Sequence, residues 1–276
     1  MIWQGAETMD NIPKVIHYCW FGGNPLPPLA RKCIASWKKY CPDYKIIKWD
    51  EHNFDINCNA YVKEAYEAKK WAFVSDVARL YALVTVGGVY MDTDVEVIKP
   101  IDCLLRYEAV SGFETETEIP TGLMVARKGH PFMKELLDEY NDIHYIKADG
   151  EQDMTTNVVR ITNACMKYGF VPNNRKQTVA GFTLLPKDYL CPKDYRTNIT
   201  RITENTLVIH HFNGSWLTKK DRCWFSFLQK FNRYLPLSVS KVLASYCTLI
   251  VMNGVIKGHL KLPVQIYKKF FKRQGQ

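Results

Sequence analysis

The run from Trp71 to Ile98, WAFVSDVARLYALVTVGGVYMDTDVEVI, is apolar for most of its length and is broken by one Gly-Gly pair. It predicts a buried helix over 71–86, a tight turn and a strand over 88–98. A helix that is apolar nearly all round has to be covered on every side, which calls for a layered structure around it. Alternation along the strand sends Tyr90, Asp92, Asp94 and Glu96 to one side and Val89, Met91, Thr93, Val95 and Val97 to the other. An acidic face beside an apolar one suits a divalent cation at a sheet edge. Mg2+ or Mn2+ takes oxygen ligands, usually one or two carboxylates plus the phosphates of a substrate.

The helix adds a second sign. Asp76 and Arg79 lie three residues apart, hence on one helical face, inside the apolar run. A charged pair in such a segment is costly unless it is partly exposed or has work to do. Near a metal-bound diphosphate, the acid could hold sugar hydroxyls and the guanidinium phosphate or hydroxyl oxygens. The plain alternative is a solvated acidic strand face and an ordinary i,i+3 ion pair. The two features together point to a nucleotide-dependent enzyme.

Upstream, Ile12–Trp20 reads as a strand ending at the turn Phe21–Pro25, Pro28–Tyr40 as a helix, Tyr44–Trp49 as a strand and Tyr61–Lys70 as a helix. Strand, helix, strand, helix, strand is the grammar of a doubly wound sheet, whose ligands sit at the carboxyl ends of strands. Trp20, Asp92 and Asp94 all fall at such ends. Downstream, 108–127 reads as a strand pair, His130–His144 and Asp153–Lys167 as helices, and Thr183–Pro186 and Thr206–His211 as closing strands.

Charge divides the chain. The formal net charge is +9, yet no acidic residue follows Asp221, while Arg222, Lys230, Arg233, Lys241, Lys257, Lys261, Lys268, Lys269, Lys272 and Arg273 do. The body over 1–221 is therefore near neutral and the tail over 222–276 basic, which argues against nucleic acid as a partner. Leu243–Ile256 is apolar but shorter than the ~20 residues a bilayer needs, and the final aromatics are interleaved with cations. Such a segment fits either an anionic membrane surface or a helical cap on the body. The 9 cysteines include no C-x-x-C pair, and the first residues carry no signal-peptide pattern. The expected location is cytoplasmic, peripheral on the inner face of the membrane.

Four ordered segments, IPKVIHYCWFGG, PDYKIIKWDE, AFVSDVARLYALVTVGGVYMDTDVEVIKPID and IHHFNGSW, resemble the glycosyltransferase family 32 sugar transferases. These are DXD-containing enzymes of capsular and surface polysaccharide synthesis, distantly related to the glucosyltransferase domains of clostridial toxins. The resemblance spans roughly residues 12–217. It implies a GT-A fold, Mn2+ or Mg2+, a nucleotide-sugar donor (UDP-sugar ahead of GDP-sugar), a saccharide or lipid-linked acceptor, and transfer with retention. It also implies roles. Trp20 would stack on the base, while Ser75, Asp76 and Arg79 would bind ribose or donor-sugar hydroxyls. Tyr90 would lie near the donor, Asp92 would touch ribose, sugar and metal, and Asp94 would ligate the metal. Ser215 and Trp216 would close over the diphosphate.

The sequence departs from the toxin pattern where Ser215 and Trp216 are adjacent and the upstream acidic ligand is missing. His211 is the expected third metal contact there. Glu114, Glu116, Glu118 and Asp153 are candidate nucleophiles by composition alone, so front-face displacement is the expected mechanism. A nucleotide-sugar hydrolase, a nucleotidyltransferase, or a non-catalytic carbohydrate- or membrane-binding module are the competing readings.

Overall fold

A computed structural model describes residues 12–214 and 217–253. In chain order it contains β1 (Val15–Cys19), α1 (Pro28–Tyr40), β2 (Lys45–Trp49), α2 (Ala60–Glu67), α3 (Trp71–Thr85), β3 (Gly88–Met91), β4 (Val95–Val97), β5 (Ala109–Gly112) and β6 (Leu123–Ala126). Then follow α4 (Pro131–Asp138), α5 (Asn157–Lys167), β7 (Gln177–Val179), β8 (Phe182–Leu185), α6 (Lys187–Leu190), the two-residue strands β9 (Lys193–Asp194) and β10 (Ile199–Thr200), β11 (Val208–His210), α7 (Lys219–Phe231) and α8 (Leu237–Asn253).

The main sheet has 7 strands in the order β2-β1-β3-β6-β5-β8-β7. β2, β1 and β3 run parallel, β6 turns antiparallel to β3 and β5, β5 and β8 are parallel, and β7 is antiparallel to β8. This is a mixed α/β sheet, with the expected β-α-β-α-β half at one side. Strand alternation divides its side chains between two cores. Ile16, Val89, Met91, Leu123 and Val125 meet α1 on one face. Cys19, Tyr90, Met124 and Ala126 meet α2, α3, α4 and α5 on the other.

α3 is covered as its composition requires, with Phe73, Val74, Val77, Ala78, Leu80, Ala82 and Leu83 buried. The Gly87-Gly88 pair then returns the chain into the sheet. Gly88 has φ +117°, and a Cβ there would lie 2.5 Å from the Val15 carbonyl oxygen, so both its freedom and its smallness are needed.

The strand expected over 88–98 is two strands. β3 stops at Met91, Asp92–Asp94 form a turn closed by Val95 N–H donating to the Asp92 carbonyl at 3.0 Å, and β4 leaves the main sheet to pair with β11. Both faces of β3 are buried, because a central strand between two helical layers has no solvent face. The closing strand expected over 206–211 is thus part of a separate two-stranded sheet. The helix expected over 130–144 ends at Asp138 and runs on only as a 3-10 turn, and the one expected from Asp153 starts at Asn157.

The chain divides into two units: one runs through Lys193 and takes in Arg201–Phe212, and the other takes in Asp194–Thr200 and continues from Asn213. In the second unit α7 begins with a capping box, Thr218 accepting from Asp221 N–H. α8 packs on α7, burying Ala244, Thr248 and Leu228, with Trp224 Nε1 donating to Ser245 Oγ at 3.0 Å. The boundary expected at 221/222 falls inside α7. Among the described residues no helix is long and apolar enough to cross a membrane.

Candidate active site

The site lies at the carboxyl end of β3, next to β1. Three elements deliver it: α3 supplies Asp76 and Arg79, the turn after β3 supplies Asp92 and Asp94, and β11 supplies a histidine. β4 is pinned directly after the turn by α1, whose Trp37 Nε1 donates to the Val95 carbonyl at 2.7 Å and whose Ser36 Oγ accepts from Val97 N–H at 2.9 Å. α1 therefore fixes the chain directly after the turn.

Arg79 is the hub. Its guanidinium is 3.1 Å from Asp76, 3.3 Å from Asp92 Oδ1 and 3.1 Å from the Thr121 carbonyl oxygen, and it lies over the Tyr90 ring at 4.8 Å. Tyr90 OH donates to the same Asp92 oxygen at 2.8 Å. The Asp76–Arg79 pair read from spacing is real, and it extends to Asp92. Burial pushes the Asp76 carboxyl up to about 6, against the pull of Arg79. Ser75 Oγ donates to the Trp71 carbonyl of its own helix at 2.9 Å.

Among the described residues, Asp92, Asp94 and His210 form a group able to hold a cation, with one ligand atom of each within 4.8 Å of the others. His210 Nε2 is 3.4 Å from Asp94 Oδ1. Burial works against a charge on His210, but the Asp94 carboxylate, with a smaller contribution from the Cys191 thiol, holds its pKa well above the usual imidazole range. The third member expected was His211. That side chain instead meets Glu96, Nε2 to Oε2 at 2.8 Å, and its backbone N–H donates to the Asp94 carbonyl at 3.0 Å. Asp94 sits in a turn, so strand alternation does not govern which of two adjacent histidines meets it. Space confirms the choice: a Cβ on Gly122 would come within 2.9 Å of the His210 ring, and Phe212 covers that ring at 4.1 Å between centroids. The donor set of two carboxylates and an imidazole fits a divalent first-row cation.

Trp20 follows β1 directly. It is half-buried, with its indole N–H donating to the Asn24 carbonyl at 2.5 Å. Ser215 and Trp216 lie outside the described residues. Among the candidate nucleophiles, Asp153 is ion-paired with Arg160, Glu118 accepts from Thr115 and Glu116 is exposed. Glu114, in the loop after β5, is different: burial pushes its carboxyl up to about 7, against the pull of His210, and Glu118 and Asp92 add to the rise. Composition singled it out with three others; its electrostatic link to the cation group required the fold.

A carboxylate pair thus closes a central strand, backed by a buried arginine and a histidine. Residues 27–111 match the family described as "Glycosyltransferase sugar-binding region containing DXD motif". The chain is similar to inositol phosphoceramide mannosyltransferase 3 of Schizosaccharomyces pombe, 29% identical over 130 residues, covering 46% of this chain and 36% of that protein. It is similar to inositol phosphoceramide mannosyltransferase 1 of the same organism, 28% identical over 157 residues, covering 50% and 47%. The chain thus spans less than half the length of these relatives. The solved structure titled PaToxG Glycosyltransferase aligns with TM-score 0.44 at 18% identity, covering 57% of this chain and 70% of that one.

If Trp20 stacks on a nucleotide base, Trp20→Ala weakens donor binding by roughly 1–3 kcal/mol, as loss of base–aromatic stacking does, and leaves cation affinity unchanged. Calorimetric titration of nucleotide and of Mn2+ checks both halves. Unaltered nucleotide affinity in a folded variant would assign Trp20 to packing alone.

Proposed function

We propose that the chain is a metal-dependent, retaining glycosyltransferase. It moves a sugar from a nucleotide-sugar, UDP-sugar ahead of GDP-sugar, to a saccharide or lipid-linked acceptor in surface polysaccharide synthesis. The observation that carries this is the Asp92–Asp94–His210 group next to the buried Arg79. When bound there, a cation would supply charge to neutralise the departing diphosphate. The imidazole in the donor set favours Mn2+ over Mg2+. Asp76 and Asp92 hold sugar or ribose hydroxyls as acceptors. Arg79 holds both carboxylates in place and keeps the acidic cluster from repelling an anionic donor. Trp20 offers its ring to the base.

No carboxylate among the described residues is evident as a covalent nucleophile, so the proposed displacement is on the front face. The bond from the anomeric carbon to the diphosphate oxygen breaks, the bond to the acceptor oxygen forms on the same side, and the departing phosphate oxygen takes the acceptor's proton.

The test is thermal unfolding of chelator-treated protein with UDP, GDP and their sugars, with and without Mn2+. A ligand at 100 times its Kd stabilises by ~2.7 kcal/mol. No nucleotide-dependent shift in Mn2+ would end the reading. Product analysis separates the competing chemistries: a transferase or hydrolase releases nucleoside diphosphate, and a nucleotidyltransferase releases pyrophosphate or sugar phosphate.

Peripheral attachment to the inner membrane face is part of the same proposal. Along α7, Lys219, Arg222 and Lys230 are exposed and fall on one helical face. Val239 and Val242 of α8 are 44% and 41% exposed. Anionic lipid attracts such cations at about 1 kcal/mol each near the surface, and the mannosyltransferase relatives are named for a lipid acceptor. The full chain is expected to sediment with phosphatidylserine vesicles and to release at high salt. Because α8 covers α7, removing it would expose apolar surface, so the cleaner variant is the triple substitution Lys219→Glu, Arg222→Glu, Lys230→Glu. Unchanged sedimentation of that variant would overturn the membrane role.

A further inference from the structure

We propose that Glu96 and Lys193 are positioning residues that hold His211 and thereby aim His210 at Asp94. The inference rests on the cation reading above and assigns work to residues outside the group itself. β11 pairs antiparallel with β4 in the register Val208↔Val97, Ile209↔Glu96, His210↔Val95, so the ladder ends where the aspartate turn begins. A strand end is where pairing frays, yet here it must present a ligand. His211 is the next residue, and it is gripped at three points. Its backbone N–H donates to the Asp94 carbonyl at 3.0 Å. Its carbonyl accepts from Lys193 Nζ at 2.8 Å. Its ring Nε2 meets Glu96 Oε2 at 2.8 Å, a diagonal cross-strand contact.

The same Glu96 oxygen accepts from Lys32 Nζ at 2.8 Å, which ties the clamp to α1. The Glu96 and His211 side chains are only 19% and 22% exposed, so neither is a freely moving surface pair. Facing a carboxylate, Nε2 carries the proton and donates. His210 has little latitude of its own, set between Gly122 and Phe212, so a shift of His211 by about one ångström, enough to break bonds of this length, carries the neighbouring imidazole away from Asp94. Lys193 Nζ holds the His211 carbonyl while the His211 N–H holds the Asp94 carbonyl, so the ammonium lies one residue from the cation group.

That proximity gives the test its sign. A lysine that merely repels a cation would, when replaced by an uncharged side chain, let Mn2+ bind more tightly. A lysine that positions His211 would, when replaced, weaken it. Mn2+ affinity is measured by calorimetry on the chelator-treated full chain, with the melting temperature recorded alongside. Outer partners of metal ligands usually matter by about 10- to 100-fold in affinity. The expected result is a rise in Mn2+ Kd of about 10-fold or more for Glu96→Ala and for Lys193→Met. Glu96→Gln, which still accepts from His211, stays within about threefold of wild type, as does Lys32→Met. A Kd within threefold of wild type for both Glu96→Ala and Lys193→Met, or tighter binding by Lys193→Met, overturns the proposal. If Glu96→Ala fails to fold, the Lys193→Met sign decides alone. Asp94→Asn is run in parallel: if it loses Mn2+ binding while the clamp variants do not, only the positioning role falls. If wild type binds no Mn2+, the cation reading falls and the clamp with it.

Discussion

Asp94→Asn should lower turnover by on the order of 10²-fold or more, the scale of removing charge stabilisation from a transition state. An amide keeps the shape of the carboxylate but cannot compensate a cation or the charge developing on a diphosphate. The same substitution acts on His210. In the native protein burial disfavours its imidazolium and Asp94 restores it. In the Asp94→Asn variant the burial remains and the compensation is gone, so the His210 pKa should drop sharply. Steady-state rates with Mn2+ and the histidine ring signals followed by NMR against pH check the two effects together. Activity within a factor of about two of wild type would remove Asp94 from the ligand set.

The second large effect is on stability. The Arg79 side chain is 6% exposed and compensates Asp76 and Asp92, at 11% and 26%. Arg79→Met leaves two carboxylates in a low-dielectric site without their counter-charge, which typically costs about 3–5 kcal/mol. The pH dependence has a defined sign. Asp76 titrates at about 6 in the folded protein against an ordinary 3.8, so the native state holds its proton more tightly than the unfolded chain does. The stability this contributes is fully present below about 4 and is lost as pH rises through about 6. Without Arg79 the folded pKa moves higher still. The loss in urea-unfolding free energy of metal-free protein should therefore be greater at pH 8 than at pH 5. A loss under ~1 kcal/mol at pH 8, or a larger loss at pH 5, would show that the guanidinium does not compensate these acids.

Much of the first unit was legible because short-range chemistry sets it. α1 begins and ends where the sequence places it, since Pro28 opens a helix and Cys41-Pro42 ends it. α3 runs to Thr85, one residue short of the expected end, because the apolar run and the glycine pair leave little choice. The Asp76–Arg79 pair follows from helical spacing alone. β7 was missed: Gln177–Val179 is three residues long, and its two β-branched residues, Thr178 and Val179, are too short a run to signal a strand. It is a strand because β8 offers it an edge.

What the sequence determined by itself, then, is the composition of the candidate site: an acid and an arginine on one face of a buried helix, an aspartate pair after a strand, and an aromatic at the end of another. Each depends on contacts a few residues long, so spacing reveals it. The tertiary structure alone decided that the strand breaks at Asp92–Asp94, because the following residues pair with β11 rather than continue in the main sheet. It decided that His210 and not His211 faces the aspartates, because the ladder register and the space beside Gly122 admit one ring. It also joined Arg79 to Asp92 across the turn between α3 and β3, and brought Glu114 into the field of His210, a residue far along the chain. Local pattern carries information about which face a side chain takes; which partner waits on that face is settled only when distant segments pack.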